Sequence, residues 1–332
     1  MRNINAKLTV IIPFRNEGDE VKNTVSSLLK YAGDEIELIL INDDSSDGYD
    51  YKQIADNFNA TYIENERNLG VATSRDIAVD ICQTDYFVMF DAHMRAFTPN
   101  WVMLLLKELE KDQRSVLCCT TVVLDKNATL VDSLDSGGYG VTMHLPELSY
   151  DWNTIWKDDI DNNNAMTINC IMGASYACNV KYWKYIKGLR GLKSYGLDEQ
   201  LISIKVFLEG GRCKVLRNII FGHIFRVAEM VPYTIKSSDY LFNILYLIES
   251  FFTDEMKIAK FRELKHSYSD EIFQESLLLL SNHNNEIKEM GTYYSKIFTK
   301  KISDISNAPS KQSACDIGPT SSRCETAMWR YP

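Results

Sequence analysis

A carboxylate and an imidazole stand two residues apart after an apolar segment, since Asp91 and His93 follow the run YFVMF. At the end of a strand, side chains two positions apart lie on one side, so both can reach one ion. A carboxylate with an imidazole suits a borderline cation such as Mn²⁺ better than Ca²⁺, although ligand type alone does not decide it. An Asp-x-His triplet is also typical of a turn before a capped helix, and the spacing does not separate the two.

Two further acidic segments also follow apolar runs. The segment from Asn42 to Asp47 follows the run IELILI, and its composition is typical of an Asx-rich turn. The functional alternative is a carboxylate, Asp43 or Asp44, that hydrogen-bonds a base or a ribose. Asn16 and Glu17 follow LTVIIPF, where they could equally start the next helix.

A second histidine follows an apolar run much later in the chain, in the segment Gly222-His223-Ile224-Phe225-Arg226. A lone histidine is more often structural than a ligand. Arg226, three residues on, has the planar bidentate geometry that suits phosphate. His223 and Arg226 therefore indicate a functional site only in combination with the polar residues that follow the other strands.

Apolar strands that alternate with helical segments would position these residues. Strands are predicted at Leu8–Pro13, Ile36–Asn42, Ala60–Glu64, Tyr86–Phe90 and Val116–Leu124, with helices between them. This alternation is typical of an α/β fold whose central, mostly parallel sheet is covered by helices on both faces. Ligands of such sheets bind at the carboxyl ends of the strands. A strand pair is predicted over Arg212–Phe225 and a helical segment over Tyr240–Ser281.

The composition is that of a globular protein with an acidic balance. The 332 residues include 36 Lys+Arg and 45 Asp+Glu, a net charge of −9, and 45% hydrophobic residues. The acidity argues against a nucleic-acid partner. The eight cysteines include no C-x-x-C pair, so free thiols in a reducing compartment are expected. No signal peptide or transmembrane run is visible, which predicts a cytoplasmic protein and leaves peripheral membrane contact as a minority alternative.

The order of the motifs resembles the nucleotide-sugar glycosyltransferases of the GT-A fold. IIPFRNE, LINDDSSD, NLGVATSRDIAV, MFDAH, YGLDEQLISIKVFLEGG, GHIFR and VPYT follow one another between residues 7 and 235. This series is similar to family 2 glycosyltransferases, and more closely to the polypeptide N-acetylgalactosaminyltransferases. The resemblance implies a metal-dependent transfer of a sugar from a UDP-sugar donor, with an N-acetylhexosamine as the candidate sugar.

The resemblance also implies a role for particular residues. Asp91, His93 and His223 would bind Mn²⁺ or another divalent cation. Asp198, Glu199 and Arg226 would be catalytic, with Arg226 on the pyrophosphate. The donor would be bound by residues at the strand ends and in the later motifs: Pro13, Phe14, Asn16, Glu17, Asp44, Thr73, Asp91, Gly173, Ala174 and Tyr233. Asp44 is preferred to Asp43 as the uridine contact.

The sequence departs from that family at three points. The family's arginine near the uridine falls at Thr73, with Arg75 two residues on. The family's Trp-Gly-Gly-Glu-Asn is Tyr195 to Glu199 here, which leaves the sugar specificity open. No lectin domain is recognisable after residue 235, so a peptide acceptor is not inherited. The acceptor could be a carbohydrate, a lipid-linked sugar or a peptide.

The predicted organisation is a GT-A domain over 1–235, a helical C-terminal extension packed on it over 236–302, and a flexible tail over 303–332. A retaining mechanism is slightly favoured because of GHIFR and VPYT. The alternative is an inverting family 2 enzyme of polysaccharide synthesis in which Asp198 or Glu199 is the general base. A non-catalytic carbohydrate- or nucleotide-binding protein on the same fold is the second alternative. Trp152 and Trp156 are predicted packing residues, with stacking on a sugar as the other interpretation.

Overall fold

The predicted alternation of strands and helices is present from Leu8 onward. The computed structural model describes residues 6–33, 35–134, 137–152, 164–226 and 231–307. The strands are β1 (Leu8–Phe14), β2 (Ile36–Asn42), β3 (Thr61–Glu64), β4 (Tyr86–Phe90), β5 (Met94–Ala96), β6 (Ser115–Leu124), β7 (Val141–His144), β8 (Ser149–Trp152), β9 (Ala165–Ile168), β10 (Ser175–Asn179) and β11 (Arg212–Ile224). The helices are α1 (Asp19–Ala32), α2 (Tyr51–Asn57), α3 (Val71–Ile81), α4 (Trp101–Leu109), α5 (Val180–Tyr185), α6 (Asp198–Glu209), α7 (Ser237–Phe251), α8 (Asp254–Ser267), α9 (Asp270–Asn282), α10 (Asn284–Ile297) and a 3-10 helix (Ile302–Asn307).

A nine-stranded sheet forms the centre of the described chain. Its order is β3-β2-β1-β4-β10-β6-β11-β5, and β9 also pairs with β11. The strands β1, β2, β3, β4, β6 and β11 run in one direction, whereas β10, β5 and β9 run against their neighbours. The predicted mostly parallel sheet is therefore confirmed, with β10 as an antiparallel insertion. The carboxyl ends of the six co-directional strands lie at one edge.

Both faces of the sheet are covered, as the fully apolar strands require. Along β1, Val10 and Ile12 belong to the apolar core that α1 and α4 cover, whereas Ile11 belongs to the core that contains residues of α3, α6 and α7. This alternation follows from the two-residue period of a strand. Because every residue of β1 is buried, the sequence of β1 is apolar throughout except for Thr9, rather than alternating.

The C-terminal region consists of several helices rather than one segment. The predicted helical range Tyr240–Ser281 is divided among α7, α8 and α9. The breaks coincide with N-caps, since the Thr253 side chain accepts a hydrogen bond from the backbone of Met256 and Ser269 accepts one from Ile272. Buried residues of α7, such as Leu241 and Tyr246, share a core with α6.

One further sequence prediction needs correction. The segment Arg212–Phe225 is a single strand, β11, whose register against β6 shifts between Leu216 and Ile220, rather than a strand pair. The 3-10 helix extends past the predicted boundary at residue 303, to Asn307, and its Ile305 is buried. Trp156 and residues 308–332 lie outside the described residues.

The described helices include none that is both long and apolar enough to cross a bilayer. The cysteines of the described part of the chain are free thiols, at positions Cys82, Cys118, Cys119, Cys170, Cys178 and Cys213.

Candidate active site at the carboxyl edge of the sheet

A cleft of about 1260 Å³ opens where the co-directional strands end. This volume exceeds the range of about 300–1,000 Å³ that is typical of small-molecule sites, so the cleft has room for a ligand with several parts. Most of the residues predicted to form a site line it: Pro13, Phe14, Asn16, Glu17, Asp91, His93, Gly173, Ala174, Asp198, Glu199, His223, Arg226 and Tyr233. The predicted convergence of the strand ends is therefore present in the structure.

Asp91, His93 and His223 form a cluster that could hold a metal ion. Their ligand atoms lie within 4.8 Å of one another. Asp91 and His93 follow β4, and His223 lies near the end of β11, which pairs with β5 directly after the Asp91–His93 turn. His223 Nε2 is 3.4 Å from Asp91 Oδ2, and the two imidazole rings are 4.8 Å apart.

The polar atoms of this cluster suit a cation. Both ring nitrogens of His223 and Nδ1 of His93 are buried without a hydrogen-bond partner among the described residues. Such atoms are costly unless a ligand satisfies them. Burial lowers the pKa of His223 despite the nearby Asp91, so its imidazole is neutral, as metal binding requires. Burial alone would raise the pKa of Asp91, but His223 and Arg75 outweigh it and lower that pKa to about 2.

Arg75 is a buried cation beneath the cluster. Its guanidinium donates to Asp91 Oδ1 at 2.9 Å and also forms an ion pair with Asp198. The Tyr176 ring lies 5.2 Å from the guanidinium carbon. Burial would lower the pKa of Arg75, but Tyr176 and the two carboxylates outweigh it, so the arginine stays charged. Arg75 thereby fixes the end of β4 relative to the start of α6.

Arg226 forms a bidentate ion pair with Glu17, with nitrogen–oxygen distances of 2.7 and 2.5 Å. The same carboxylate faces His93, since Glu17 Oε2 is 3.3 Å from His93 Nδ1. Burial would raise the pKa of Glu17, but His93 and Arg226 outweigh it and lower that pKa to about 2. Glu17 is therefore a buried anion between two predicted site residues.

Asp198 and Glu199 begin α6 and face the cleft. Asp198 is held by Arg75, whereas burial and the adjacent Asp198 raise the pKa of Glu199 well above its usual value. Gly173 makes room for Glu199, because a Cβ at position 173 would lie 2.0 Å from Glu199 Oε1. Gly173, which the resemblance places among the donor-binding residues, is thus also next to this carboxyl group.

Two predicted donor-binding residues do not line the cleft. Thr73 lies on α3 outside the lining set, and Arg75, two residues on, lines the cleft instead. Asp44 is half-exposed and pairs with Arg15 at 3.5 Å, whereas the buried Asp43 lines the cleft. Asp43 accepts hydrogen bonds from the side chains of Asn65 and Asn68 and from the backbone of Leu69 and Gly70. Asp43 therefore holds the loop before α3 in place.

Aromatic side chains form much of the remaining wall. Trp152, at the end of the β7–β8 hairpin, packs edge-on against Phe225, with ring centroids 5.4 Å apart. The rings of Tyr195 and Tyr233, which both line the cleft, are tilted against each other with centroids 6.3 Å apart. Both interpretations of Trp152 have a basis here, because it packs on Phe225 and also lines the cleft.

Sequence reasoning missed Arg75 as a site residue, although a signal was present. The buried face of α3 includes Ala72, Arg75, Ala78 and Val79. Arg75 therefore occupies a position of the helical repeat at which an apolar residue is expected. A buried charge needs partners, and that requirement points to a site. Asp43 was weighed, but nothing in the spacing distinguished it from Asp44.

Comparison with known proteins gives a family match. The sequence model described as glycosyl transferase family 2 matches residues 9–175, which is half of the chain. Human polypeptide N-acetylgalactosaminyltransferase 10 is 23% identical over 267 residues, covering 74% of this chain and 42% of that protein. The Escherichia coli uncharacterized glycosyltransferase YibD is 28% identical over 120 residues, covering 36% and 35% of the two chains. The chain thus spans well under half the length of these curated relatives.

Solved structures share the fold. A crystal structure of GalNAc-T7 with UDP, GalNAc and Mn²⁺ superposes with a TM-score of 0.74 at 17% identity, covering 91% of this chain and 56% of that one. A structure of residues 1–349 of S. aureus TarS in complex with UDP-GlcNAc has a TM-score of 0.50 at 15% identity, covering 73% and 65%. At these identities the likeness concerns the fold, a central sheet flanked by helices with a helical C-terminal region.

Proposed function

Because the chain belongs to glycosyl transferase family 2, we propose that it transfers a sugar from a UDP-sugar to an acceptor with the help of a divalent cation. The observation that carries this proposal is the cluster of Asp91, His93 and His223. Its ligand atoms lie within 4.8 Å of one another, and both ring nitrogens of the buried His223 lack a hydrogen-bond partner among the described residues, so a cation could satisfy one of them. A cation at this position would lie near Arg226, so the cation and the guanidinium would both face the diphosphate of the donor.

Asp91, His93 and His223 are the residues that would hold the ion, and Mn²⁺ matches a mixed carboxylate and imidazole set. When bound, the ion supplies charge neutralisation for the diphosphate as the bond to the sugar breaks. His223 is suited to this by its neutral imidazole, and Asp91 by an ionised carboxylate of which Oδ2 faces the histidine.

Arg226 and Tyr233 would bind the pyrophosphate. A guanidinium has five N–H donors, and the ion pair with Glu17 uses only two of its nitrogens. Asn16 donates to the carbonyl of Pro232 at 3.1 Å, which holds the segment of Tyr233 against the β1 end of the cleft. The leaving diphosphate would thus be stabilised by fixed donors that need no rearrangement during the reaction.

The donor is proposed to be a UDP-N-acetylhexosamine. Two proteins of the same fold support this: GalNAc-T7 was solved with UDP and GalNAc, and TarS with UDP-GlcNAc. The uridine would lie near Pro13, Phe14 and Asp43, at the ends of β1 and β2, and the sugar near Gly173, Ala174 and Glu199. Asp43 replaces Asp44 in this proposal because only Asp43 lines the cleft. Since its two oxygens already accept four hydrogen bonds, Asp43 would hold the loop that borders the uridine rather than bind the base itself.

A retaining mechanism is the favoured proposal. A general base must be ionised and free to accept a proton from the acceptor. Asp198 is occupied by Arg75, and burial together with the adjacent Asp198 raises the pKa of Glu199, which disfavours the ionised form that a base needs. The inverting alternative would need Glu199 to ionise when the donor binds. A β-linked product from an α-linked donor, seen by NMR, would establish the inverting alternative.

The acceptor is proposed to be a hydroxyl-bearing carbohydrate, lipid-linked sugar or peptide that enters along the aromatic wall of Trp152 and Phe225. Three predictions from the sequence stay predictions. They are the cytoplasmic location, the absence of a nucleic-acid partner, and the division into a GT-A domain and a helical extension.

Nucleotide release is the direct test of this function. The protein is incubated with Mn²⁺ and a panel of UDP- and GDP-sugars, and free nucleoside diphosphate is measured. We expect slow hydrolysis of UDP-N-acetylhexosamines, abolished by His223→Leu. Binding of UDP without release from any donor, with or without a panel of acceptors, would favour the non-catalytic alternative instead.

A further inference from the structure

Glu17 lines the cleft, but its side chain is almost entirely buried. The side chain is only 4% exposed, and its carboxylate contacts both Arg226 and His93. Both carboxylate oxygens of Glu17 have partners. Arg226 donates a hydrogen bond to each of them, and His93 Nδ1 also lies near Oε2. These contacts use three of the roughly four acceptor sites of the carboxylate, so the main interactions of Glu17 are with Arg226 and His93.

His93 presents its Nδ1 to this carboxylate and needs an acceptor there. The distance to Glu17 Oε2 is 3.3 Å, and Nδ1 has no aligned hydrogen-bond partner among the described residues. A histidine that binds a metal through one ring nitrogen commonly donates from the other to a carboxylate, which fixes the tautomer and the ring orientation. Glu17 is the carboxylate within ion-pair distance of His93 in the described chain.

We propose that Glu17 is a positioning residue that acts on two groups at once. It holds His93 with its proton on Nδ1, which leaves Nε2 for the cation, and it aims the guanidinium of Arg226 at the pyrophosphate. This inference rests on the proposed function, since it assumes that His93 is a metal ligand and that Arg226 binds phosphate. It assigns Glu17 no contact with the donor. The β1–α1 turn thereby couples the metal site to the phosphate site.

Metal binding without any donor separates this role from a general structural one. Free Mn²⁺ is counted by electron paramagnetic resonance in titrations of the whole protein and of Glu17→Gln, a variant of the same shape without the charge. We expect the Mn²⁺ affinity to fall about 10- to 100-fold, the usual effect of losing such a partner of a ligating histidine. Glu17→Asp, which keeps the charge, should recover part of this loss.

Glu20→Gln is the matched control. Glu20 lies on the first turn of α1, three residues after Glu17, and forms an ion pair with Arg95 at 2.7 Å outside the cleft lining. Its loss should leave the Mn²⁺ affinity unchanged. Equal Mn²⁺ affinities for Glu17→Gln and the unmodified protein would overturn the inference. Absence of Mn²⁺ binding by the unmodified protein would instead overturn the proposed function.

A measurement on the unmodified protein covers the case in which Glu17→Gln does not fold. The protein has five histidines, so ¹⁵N-labelled histidine gives a small set of side-chain resonances. The resonances of His93 are assigned by their disappearance in His93→Gln. We expect the proton of the neutral, metal-free His93 to reside on Nδ1. A proton on Nε2 would contradict the proposed role of Glu17.

Discussion

Arg75 of α3 forms ion pairs with both Asp91, after β4, and Asp198, at the start of α6. Its side chain is only 4% exposed and that of Asp198 9%, whereas Asp91 is 28% exposed, so a largely buried triad of charges forms the floor of the cleft. A triad of this kind costs much to break, since removing one member leaves the others buried without a counter-charge. The site therefore depends on a residue that is part of the core.

Arg75→Met should lower the free energy of unfolding by about 3–5 kcal/mol, the usual cost of removing one partner of a buried pair. Urea denaturation measures this loss. Arg190→Met is the matched control, because Arg190 is 43% exposed and pairs with Glu286 at the surface. Its loss should cost at most about 1 kcal/mol. Similar losses for the two variants would contradict the buried triad.

Gly173→Ala should damage turnover more than stability. A Cβ at position 173 would lie 2.0 Å from Glu199 Oε1, and the flexible carboxyl group must move away. A displacement of about 1 Å in a site can cost on the order of 100-fold in rate. The donor-hydrolysis rate and the melting temperature are measured together. Unchanged turnover would show that the position of Glu199 does not matter.

Gly291→Ala is the control for that substitution. Gly291 lies within α10, and a Cβ there would meet nothing within 4 Å. The same change of residue should raise stability by about 0.5–1 kcal/mol, because alanine is the better helix former. Its turnover should equal that of the unmodified protein.

Asp43→Asn should be far more harmful than Asp44→Asn. Asp43 accepts hydrogen bonds from four donors, and an asparagine there would aim an amide at some of them. We expect a loss of about 1–3 kcal/mol in stability and a weaker affinity for UDP. The half-exposed Asp44 should tolerate the change within about 0.5 kcal/mol. A loss of UDP affinity confined to Asp44→Asn would restore Asp44 as the uridine contact.

Lys205 should make stability depend on pH above neutrality. It is fully buried, and its Nζ donates to the carbonyl of Gly188 at 2.7 Å. Burial lowers the pKa of Lys205 to about 7, although Asp76 acts in the opposite direction. Between about pH 7 and the usual value of 10.5, the unfolded chain holds a proton that the folded protein lacks, so stability rises with pH.

Lys205→Met should remove this contribution. The unfolding free energies of the protein and the variant are compared from pH 7 upward, where Asp76, whose pKa burial raises to about 6, is already ionised. The difference between the two should grow by up to about 1.4 kcal/mol per pH unit. Parallel pH profiles would contradict a lowered pKa for Lys205.

The fold could largely be predicted from the sequence because its strands are continuous apolar runs. The runs at β1, β2 and β4 have nearly the predicted bounds, and the common edge of the sheet then brings Asp91 and His223 together. The strand β10 was not among the predicted strands, and its antiparallel direction could not be predicted either, because a short apolar strand has the same pattern in a parallel and an antiparallel pair. The C-terminal helix breaks were missed, although Thr253 and Ser269 followed by acidic residues are N-cap signals.

The electrostatics of the site could not be predicted in the same way. The pairs Arg75–Asp198 and Glu17–Arg226 join residues that are far apart in the chain, and no local spacing encodes them. Asp43 and Asp44 are chemically identical neighbours, and only the fold buries one and exposes the other. The two-residue spacing after β4 was enough to predict Asp91 and His93 as a pair of metal ligands. The residues that neutralise their charge could not be predicted, because their positions depend on how the helices pack.

The central claim is that a cation on Asp91, His93 and His223 binds the diphosphate of the donor. Calorimetric titration of the protein with UDP, in Mn²⁺ and in EDTA, tests it most directly. His223→Leu serves as the control. Both nitrogens of this buried ring lack hydrogen-bond partners within the described part of the chain, so the metal-free fold should tolerate their loss. We predict that UDP binds at least about 100-fold, or 2.7 kcal/mol, more tightly in Mn²⁺ than in EDTA, and that His223→Leu removes the difference. Equal UDP affinities with and without Mn²⁺ would contradict the account.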